Sequence, residues 1–416
     1  MLIDFSVTNY RSIKDKQTFS MQPIKRIDEL PEHIIQNGKH SALSSAIIYG
    51  RNASGKSNLL KAMNALVEMI KESNVVGVDI DEYEPHKFDV NTLHKSIKIE
   101  ISFIAEDNIK YLYKVAFLKD SIISESLFSY PNNREIKLFV REGDKPIDFG
   151  HNFKGRKKDI EDTLYPNQLF LSKIGTYKIL TLYSAYRYIS ERIIQIGLDE
   201  IEDFIFYLDD VLDDREEDFR KNLEKILKLG DTNIISLKDE KIEKVSKRGN
   251  KHVENILFTE HMIFENNKNV NTVFIKADEE STGTKKLIVV GSKILDVLEK
   301  GGILIIDELD KGFHALLTRA LINLFHNPKT NPNGAQLIFA THDVSLLDND
   351  LFRRDQIWFS EKGNDGASTY YSLADLKGIR AGVPLEKYYL KGAFGATPII
   401  NEHDLVFNFG EKNEQK

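Results

Sequence analysis

Eight residues constrain this chain more than any others. Gly50-Arg51-Asn52-Ala53-Ser54-Gly55-Lys56-Ser57 fits the P-loop pattern G-x-x-x-x-G-K-[ST] without a mismatch. The glycines let the backbone curl so that successive amide N–H groups face one phosphate. Lys56 supplies a point charge for β- and γ-phosphates, and Ser57 a hydroxyl for Mg²⁺. The flanks agree with that reading. Ser45-Ala46-Ile47-Ile48-Tyr49 reads as a short buried strand, and Leu59, Met63, Leu66, Val67 and Ile70 recur at helical spacing. A strand, a glycine loop and a helix N-terminus together form an anion site, so a nucleoside triphosphate is the expected ligand. Asn52, Ala53, Ser54, Gly55 and Asn58 complete the candidate phosphate-contacting set.

A P-loop does not say which NTPase carries it. Gly301-Gly302 precede Ile303-Leu304-Ile305-Ile306, and that run ends in Asp307-Glu308. Four apolar residues and then two acids describe a buried strand that delivers carboxylates at its C-terminal end, the Walker B pattern. Asp307 suits the shell of Mg²⁺. Glu308 suits orientation and deprotonation of an attacking water. The next apolar run, Gln336-Leu337-Ile338-Phe339-Ala340, leads into Thr341-His342-Asp343. A histidine there can reach a γ-phosphate and act as a switch. Between loop and acids, Glu280-Ser281-Thr282-Gly283-Thr284 opens a helix with apolar face Leu287, Val290, Ile294 and Leu298. Ser281 and Gly283 then sit at the positive end of that helix, although a plain serine N-cap explains Ser281 equally well. The order of the four elements is that of an ATP-binding-cassette head.

At 416 residues the chain has room for two or three domains. Its 41% hydrophobic and 29% charged residues are ordinary for a globular protein, and no signal peptide or membrane-length apolar run is evident. A cytoplasmic location is the default expectation. Zero cysteines exclude disulfides, thiolate metal sites and a cysteine nucleophile, and the net charge of −7 argues against whole-surface nucleic-acid binding.

With these residues in view, the chain resembles the ABC-type ATPases of the SMC, RecF and OLD group, and most closely the RloA-like (AbiLi-like) ATPases of bacterial anti-phage systems. The segments that carry the resemblance are "FSVTNYRSIKD", "IIYGRNASGKSNLLKAM", "PHKFD", "NQLFLSKIGT", "ESTGTKKLI", "LIIDELDKGFHALLTRALI", "QLIFATHDVSLLD", "LFRRDQIWF" and "YYLKGAFGATPII". "ESTGTKKL" and the tail are the most specific to that subgroup. The resemblance implies an α/β ABC-type head with an antiparallel β lobe and a helical insertion. It implies a role for Arg11 near the nucleotide, and for Ser281 and Gly283 as a signature motif that contacts the γ-phosphate of the opposite subunit. Lys311 to His314 match the D-loop. The signature is Ser-Thr-Gly-Thr and not LSGGQ, so its contact is carried over by position alone; Gln168 is the candidate Q-loop glutamine.

The expected division is residues 1–75 and 271–416 as the two parts of the head, 76–175 as a β-rich lobe and 176–270 as a helical insertion. Alternation of Ile97, Ile99, Ile101 and Phe103, and of Tyr111, Tyr113, Val115 and Phe117, supports the lobe. Residues from about 176 to 229 have helical apolar spacing. The acidic run Asp209 to Asp218 and the basic clusters Lys154 to Lys158 and Lys244 to Lys251 read more readily as solvated surface than as metal or nucleic-acid sites. After His342 too little chain remains for a TOPRIM nuclease, and Asp348-Asn349-Asp350 reads as a helix terminus. The leading expectation is an ATP- and Mg²⁺-dependent hydrolase that dimerises head-to-head and controls a separate TOPRIM-type effector in anti-phage defence. A RecF-like DNA-binding ATPase in repair or recombination is the alternative. A GTP switch lacks an Asn-Lys-x-Asp element.

Overall fold

The computed structural model describes residues 1–72, 78–151, 153, 161–177, 180–197, 217–230, 232–245, 251–380 and 382–397. The chain opens with an antiparallel pair, β1 (Leu2–Thr8) and β2 (Gln17–Ser20). A small hairpin follows, β3 (Ile34–Asn37) and β4 (His40–Leu43). Next come the wholly buried β5 (Ser45–Tyr49) and helix α1 (Lys56–Lys71). The apolar residues that predicted α1 are all buried, so its 3.6-residue stripe is the packing face.

Strands β6 (Ile97–Ile104), β7 (Lys110–Phe117), β8 (Ile122–Ser129), β9 (Ile136–Glu142) and β10 (Asp148–Phe149) pair antiparallel in chain order. Because β6 also pairs with β1, the lobe is one seven-stranded sheet that includes the first two strands of the chain. After it lie α2 (Phe170–Tyr177), α3 (Leu180–Arg192), β11 (Ile193–Ile196) and α4 (Glu217–Leu229). Buried Glu125 of β8 fixes where α2 starts. Its carboxylate accepts from the backbone N–H of Phe170 at 2.7 Å and of Leu171 at 2.9 Å, and from the Tyr113 hydroxyl at 2.9 Å, with Arg141 at 3.8 Å.

Within 176–270, α3 and α4 are helical, whereas β11 between them belongs to a sheet and the chain from Ile234 onward is extended. Residues 234–276 form an antiparallel meander, β12 (Ile234–Val245), β13 (Lys251–Glu265) and β14 (Lys268–Lys276). The reason is local: Asn266 and Asn267 both adopt left-handed φ, +49° and +63°, the geometry of a tight hairpin turn. Leu237 and Leu257 of the meander share a buried cluster with Leu223, Ile226 and Leu227 of α4.

The rest of the chain supplies α5 (Thr282–Lys300), β15 (Ile303–Ile306), α6 (Ala315–His326), β16 (Gln336–Ala340), β17 (Ile357–Lys362), β18 (Ser368–Ser372) and α7 (Leu385–Leu390). The second sheet has the order β11-β15-β16-β5-β17-β18, parallel except for β18. Side chains alternate across it as the strand period requires. Ala46, Ile48, Ile303, Ile305, Ile338 and Ala340 join the core shared with α1 and the lobe. Ile47, Tyr49, Leu304, Ile306, Leu337 and Phe339 join the opposite core with α5 and α6. Both faces are covered, which is why these strands read as continuous apolar runs.

Candidate active site

The phosphate loop joins β5 to α1 at the C-terminal edge of the parallel sheet, where open α/β sheets take their ligands. Gly55 is the N-cap of α1 with φ +111°, and Ala53 has φ +61°. Asn52 and Ala53 are exposed, Ser54, Gly55 and Lys56 are buried, and Ser57 and Asn58 lie between. Lys56 Nζ donates to the Gly50 carbonyl at 2.9 Å, so the loop encloses its own cation. Burial lowers the Lys56 pKa, and the nearby Asp307, Glu308 and Asp310 push it back up.

A cradle that the sequence did not reveal holds the loop from outside. The Ser54 carbonyl accepts from Ser360 Oγ at 3.0 Å and Ser368 Oγ at 2.6 Å, and the Gly55 carbonyl from the Tyr370 hydroxyl at 2.6 Å. Asn58 Nδ2 donates to Ser12 Oγ at 2.6 Å, and Ser368 Oγ lies 2.7 Å from the same oxygen. A Cβ on Gly55 would stand 2.8 Å from Ser12 Oγ, so the loop needs glycine there for the close approach as well as for its φ. The β1–β2 turn and the β17–β18 hairpin therefore clamp the P-loop from sequence positions up to some three hundred residues away.

The acids approach from the other side. Strand β16 lies between β5 and β15, so the sheet edge presents the P-loop, then His342, then Asp307-Glu308. Asp307 Oδ1 and Asp310 Oδ1 are buried and make no hydrogen bond. Unsatisfied buried carboxylate oxygens are rare and costly, and two of them near the Lys56 ammonium suit a hard cation. Glu308 has φ +54°, a strained conformation for a residue with a side chain, and its Oε2 lies 3.6 Å from Lys311 Nζ. His342 is exposed at the strand end. Local desolvation and then Lys56 hold its pKa below the ordinary imidazole value, against the pull of Asp310, Glu308 and Asp307.

The remaining predicted residues fall in two places. Arg11, φ +49°, is turned onto Glu84: its guanidinium pairs with the Glu84 carboxylate, and its N–H donates to the Glu84 carbonyl at 2.7 Å. Its neighbour Ser12 is the residue that touches Asn58. Ser281 caps α5, accepting from the Thr284 N–H at 3.2 Å, and it is exposed. Gly283 faces the Gly312 carbonyl, 3.4 Å from where its Cβ would be. Lys286 of the same helix donates to the Leu309 carbonyl at 3.4 Å and to that of Lys311, and its ammonium lies 4.5 Å from the Phe313 ring centroid. Burial pushes its pKa down to about 8. The signature helix is thus fastened to the segment just after the Walker B acids, a link no spacing rule revealed.

Gln168 is held in the lobe, where its carbonyl accepts from Arg141 at 2.5 Å and its side chain from the Tyr165 N–H at 3.3 Å. Asp348 pairs with Arg319 at 2.8 Å and accepts from the Asp350 N–H at 3.0 Å, a turn terminus and not an acidic cluster. No group of three metal-ligating side chains of the His, Asp and Glu type occurs among the described residues, and no described helix is long and apolar enough to cross a membrane. Lys154 to Lys158, Asp209 to Glu216 and the side chains from Lys244 to Lys251 lie outside the described residues.

A phosphate loop on a parallel sheet, with a buried lysine facing strand-end acids, defines a P-loop ATPase domain. Residues 45–348 match the family described as "AAA domain, putative AbiEii toxin, Type IV TA system", well over half of the sequence, and the chain belongs to that family. Among solved structures it is similar to an Smc head bound to the C-winged helix domain of ScpA, with 14% identity, 89% of this chain and 97% of that chain covered, and a TM-score of 0.46. For the SMC head domain from Thermotoga maritima the values are 13%, 89%, 98% and 0.40. For the recombination mediator protein RecF they are 13%, 89%, 98% and 0.39. No curated protein matches in sequence.

Proposed function

We propose that this chain binds and hydrolyses ATP at sites completed by a second copy of itself, and that the nucleotide-dependent dimer controls a separate effector in anti-phage defence. One observation carries the composite site: Lys56 faces Asp307, Glu308 and His342 within the chain, whereas the hydrogen bonds of Ser281 run to its own helix and that helix start is exposed. An exposed N-terminus of a 19-residue helix, fastened through Lys286 to the segment after Glu308, is well placed to meet a phosphate brought by another subunit.

In this reading the P-loop N–H groups and Lys56 hold the phosphates. Ser57 and Asp307 would hold Mg²⁺, which neutralises charge on the phosphate oxygens when bound. Glu308 accepts the proton of the attacking water, and His342 reads the γ-phosphate from the intervening strand. Arg11 lies near the nucleotide beside Ser12. The family description, with its toxin–antitoxin association, supports a defence setting, and the resemblance to RloA-like chains suggests a TOPRIM-type nuclease as effector.

The Glu308→Gln variant tests the reading. ATP turnover should fall by roughly 10²–10⁴-fold, the usual contribution of a positioned base, while ATP binding persists. In sedimentation the same variant should shift from monomer to dimer on adding ATP. Near-normal turnover would remove Glu308 from the chemistry, and sedimentation indifferent to ATP would remove the composite site.

A further inference from the structure

Among the described residues Phe88 is the most exposed aromatic side chain. It is 67% exposed although its loop is firmly bound. His86 is fully buried; its N–H donates to Asn9 Oδ1 at 3.1 Å, and its Nδ1 lies 2.9 Å from the Arg11 carbonyl. Thr92 Oγ1 donates to the carbonyls of His86, at 2.8 Å, and Asp89, at 2.7 Å, while the Asp89 carboxylate pairs with Lys14 at 2.8 Å. A rigid turn that holds a phenyl ring in water forgoes most of the burial free energy that ring could supply. The ring is also positioned. Gly366, with φ +76°, lies against it so closely that a Cβ would come within 2.8 Å of the ring. Lys362 Nζ stands 5.2 Å from its centroid, and His86 meets it edge-on at 5.7 Å.

The location gives the ring a use. The carbonyl of Lys362 accepts from Arg51 of the phosphate loop at 2.7 Å. Ser368, two residues beyond Gly366, donates to the Ser54 carbonyl. Phe88 is therefore linked to the P-loop from the β17 side of β5. The carboxylates Asp307 and Glu308 approach from the opposite side, beyond β16. Open α/β sheets take ligands outside the C-terminal ends of their strands, and a nucleoside triphosphate has its γ-phosphate and its base at opposite ends. If the γ-phosphate points to the acids, the base points toward β17 and β18.

We propose that Phe88 is the stacking platform for the purine base of the bound nucleotide, with Lys362 steadying the ring. The proposal rests on the nucleotide reading above. A phenyl face reads the area of a π-system and not the hydrogen-bonding edges of the base, so it favours purines and distinguishes adenine little from guanine.

Equilibrium binding of ATP, GTP and inorganic tripolyphosphate to the full chain, each with Mg²⁺, tests it. Phe88→Ala should weaken ATP and GTP alike by about 5- to 150-fold, the range of base–aromatic stacking, and leave tripolyphosphate unchanged. Phe88→Tyr should restore ATP affinity. The chain has a single tryptophan, the buried Trp358. In Phe88→Trp a new exposed indole should therefore change its fluorescence with ATP and not with tripolyphosphate. Unchanged ATP affinity in Phe88→Ala, or an equal loss for tripolyphosphate, would overturn the assignment. A wild-type chain that binds neither ATP nor tripolyphosphate would instead sink the nucleotide reading, and this proposal with it.

Discussion

Two acids with buried carboxylate oxygens in this molecule share a chemistry and differ in everything around them. Glu125, in the antiparallel lobe, accepts two backbone N–H groups and a tyrosine hydroxyl and has an arginine within 3.8 Å. Asp307, at the edge of the parallel sheet, keeps a buried oxygen with no hydrogen bond. Folding tolerates a buried charge when its lone pairs are filled, and an unfilled one costs about 1–3 kcal/mol or more. The lobe thus uses its carboxylate as a fastener, tying β8 to the start of α2. The site keeps its carboxylate unsatisfied beside Lys56, and a cation would supply the missing partner. Glu125 is wholly buried and satisfied, whereas Asp307 is half-buried and keeps one oxygen unsatisfied, and that open oxygen is what separates the structural acid from the chemical one.

Substitution at each acid should separate the two roles. Asp307→Asn is expected to lower ATP turnover about 10²-fold or more, since a misplaced metal forfeits several kcal/mol of charge stabilisation. Its folding stability should stay within about 1 kcal/mol of wild type, because no native hydrogen bond of Oδ1 is lost. A large drop in its denaturation midpoint would erase the contrast. Glu125→Ala should do the reverse, costing about 3–5 kcal/mol in chemical denaturation by leaving two helix N–H groups and the Tyr113 hydroxyl without their acceptor and the buried Arg141 without a counter-charge. Turnover per folded molecule should hardly change, and a loss of activity with intact stability would move Glu125 into the chemistry.

The smallest effect sharpens the comparison through pH. Burial raises the Glu125 pKa, and Arg141, the two N–H groups and Tyr113 only partly oppose it. A group whose folded pKa lies above its unfolded value binds more protons in the native state across that interval. Its contribution is fully present below the usual glutamate value and is lost as pH rises through the raised value. Wild type should therefore gain stability relative to the non-titrating Glu125→Gln as pH falls from neutral toward 4.5. A difference that does not vary with pH would contradict the burial argument.

The parts of the site that lie within a few residues of one another were legible in the sequence. Glycine, lysine and serine at fixed spacing made the P-loop readable, and buried strands announced Asp307-Glu308 and His342 because both of their faces are covered. The cradle was not legible, since Ser12, Ser360, Ser368 and Tyr370 are common residues whose meaning lies in contacts across the whole chain. Phe88 stands within the segment Pro85-His86-Lys87-Phe88-Asp89, yet its exposure is a tertiary fact. The meander at 234–276 was missed although its Asn266-Asn267 turn is a hairpin signal, because the flanking alternation is interrupted by charges such as Glu260 and Glu265. The strained φ of Glu308 left no trace in residue type, since any residue can be forced there by its surroundings.

The central claim is that the sheet edge of one subunit and the α5 start of another form a single ATP site. Mixing Lys56→Ala chains with Ser281→Arg chains tests it most directly, because each should be inactive alone and each retains the half the other lacks. Random pairing into dimers should restore one working site in each mixed dimer, about a quarter of wild-type turnover at equal amounts. Full activity from Ser281→Arg by itself, at a rate per subunit independent of protein concentration, would show that the site is complete within one chain and contradict the account.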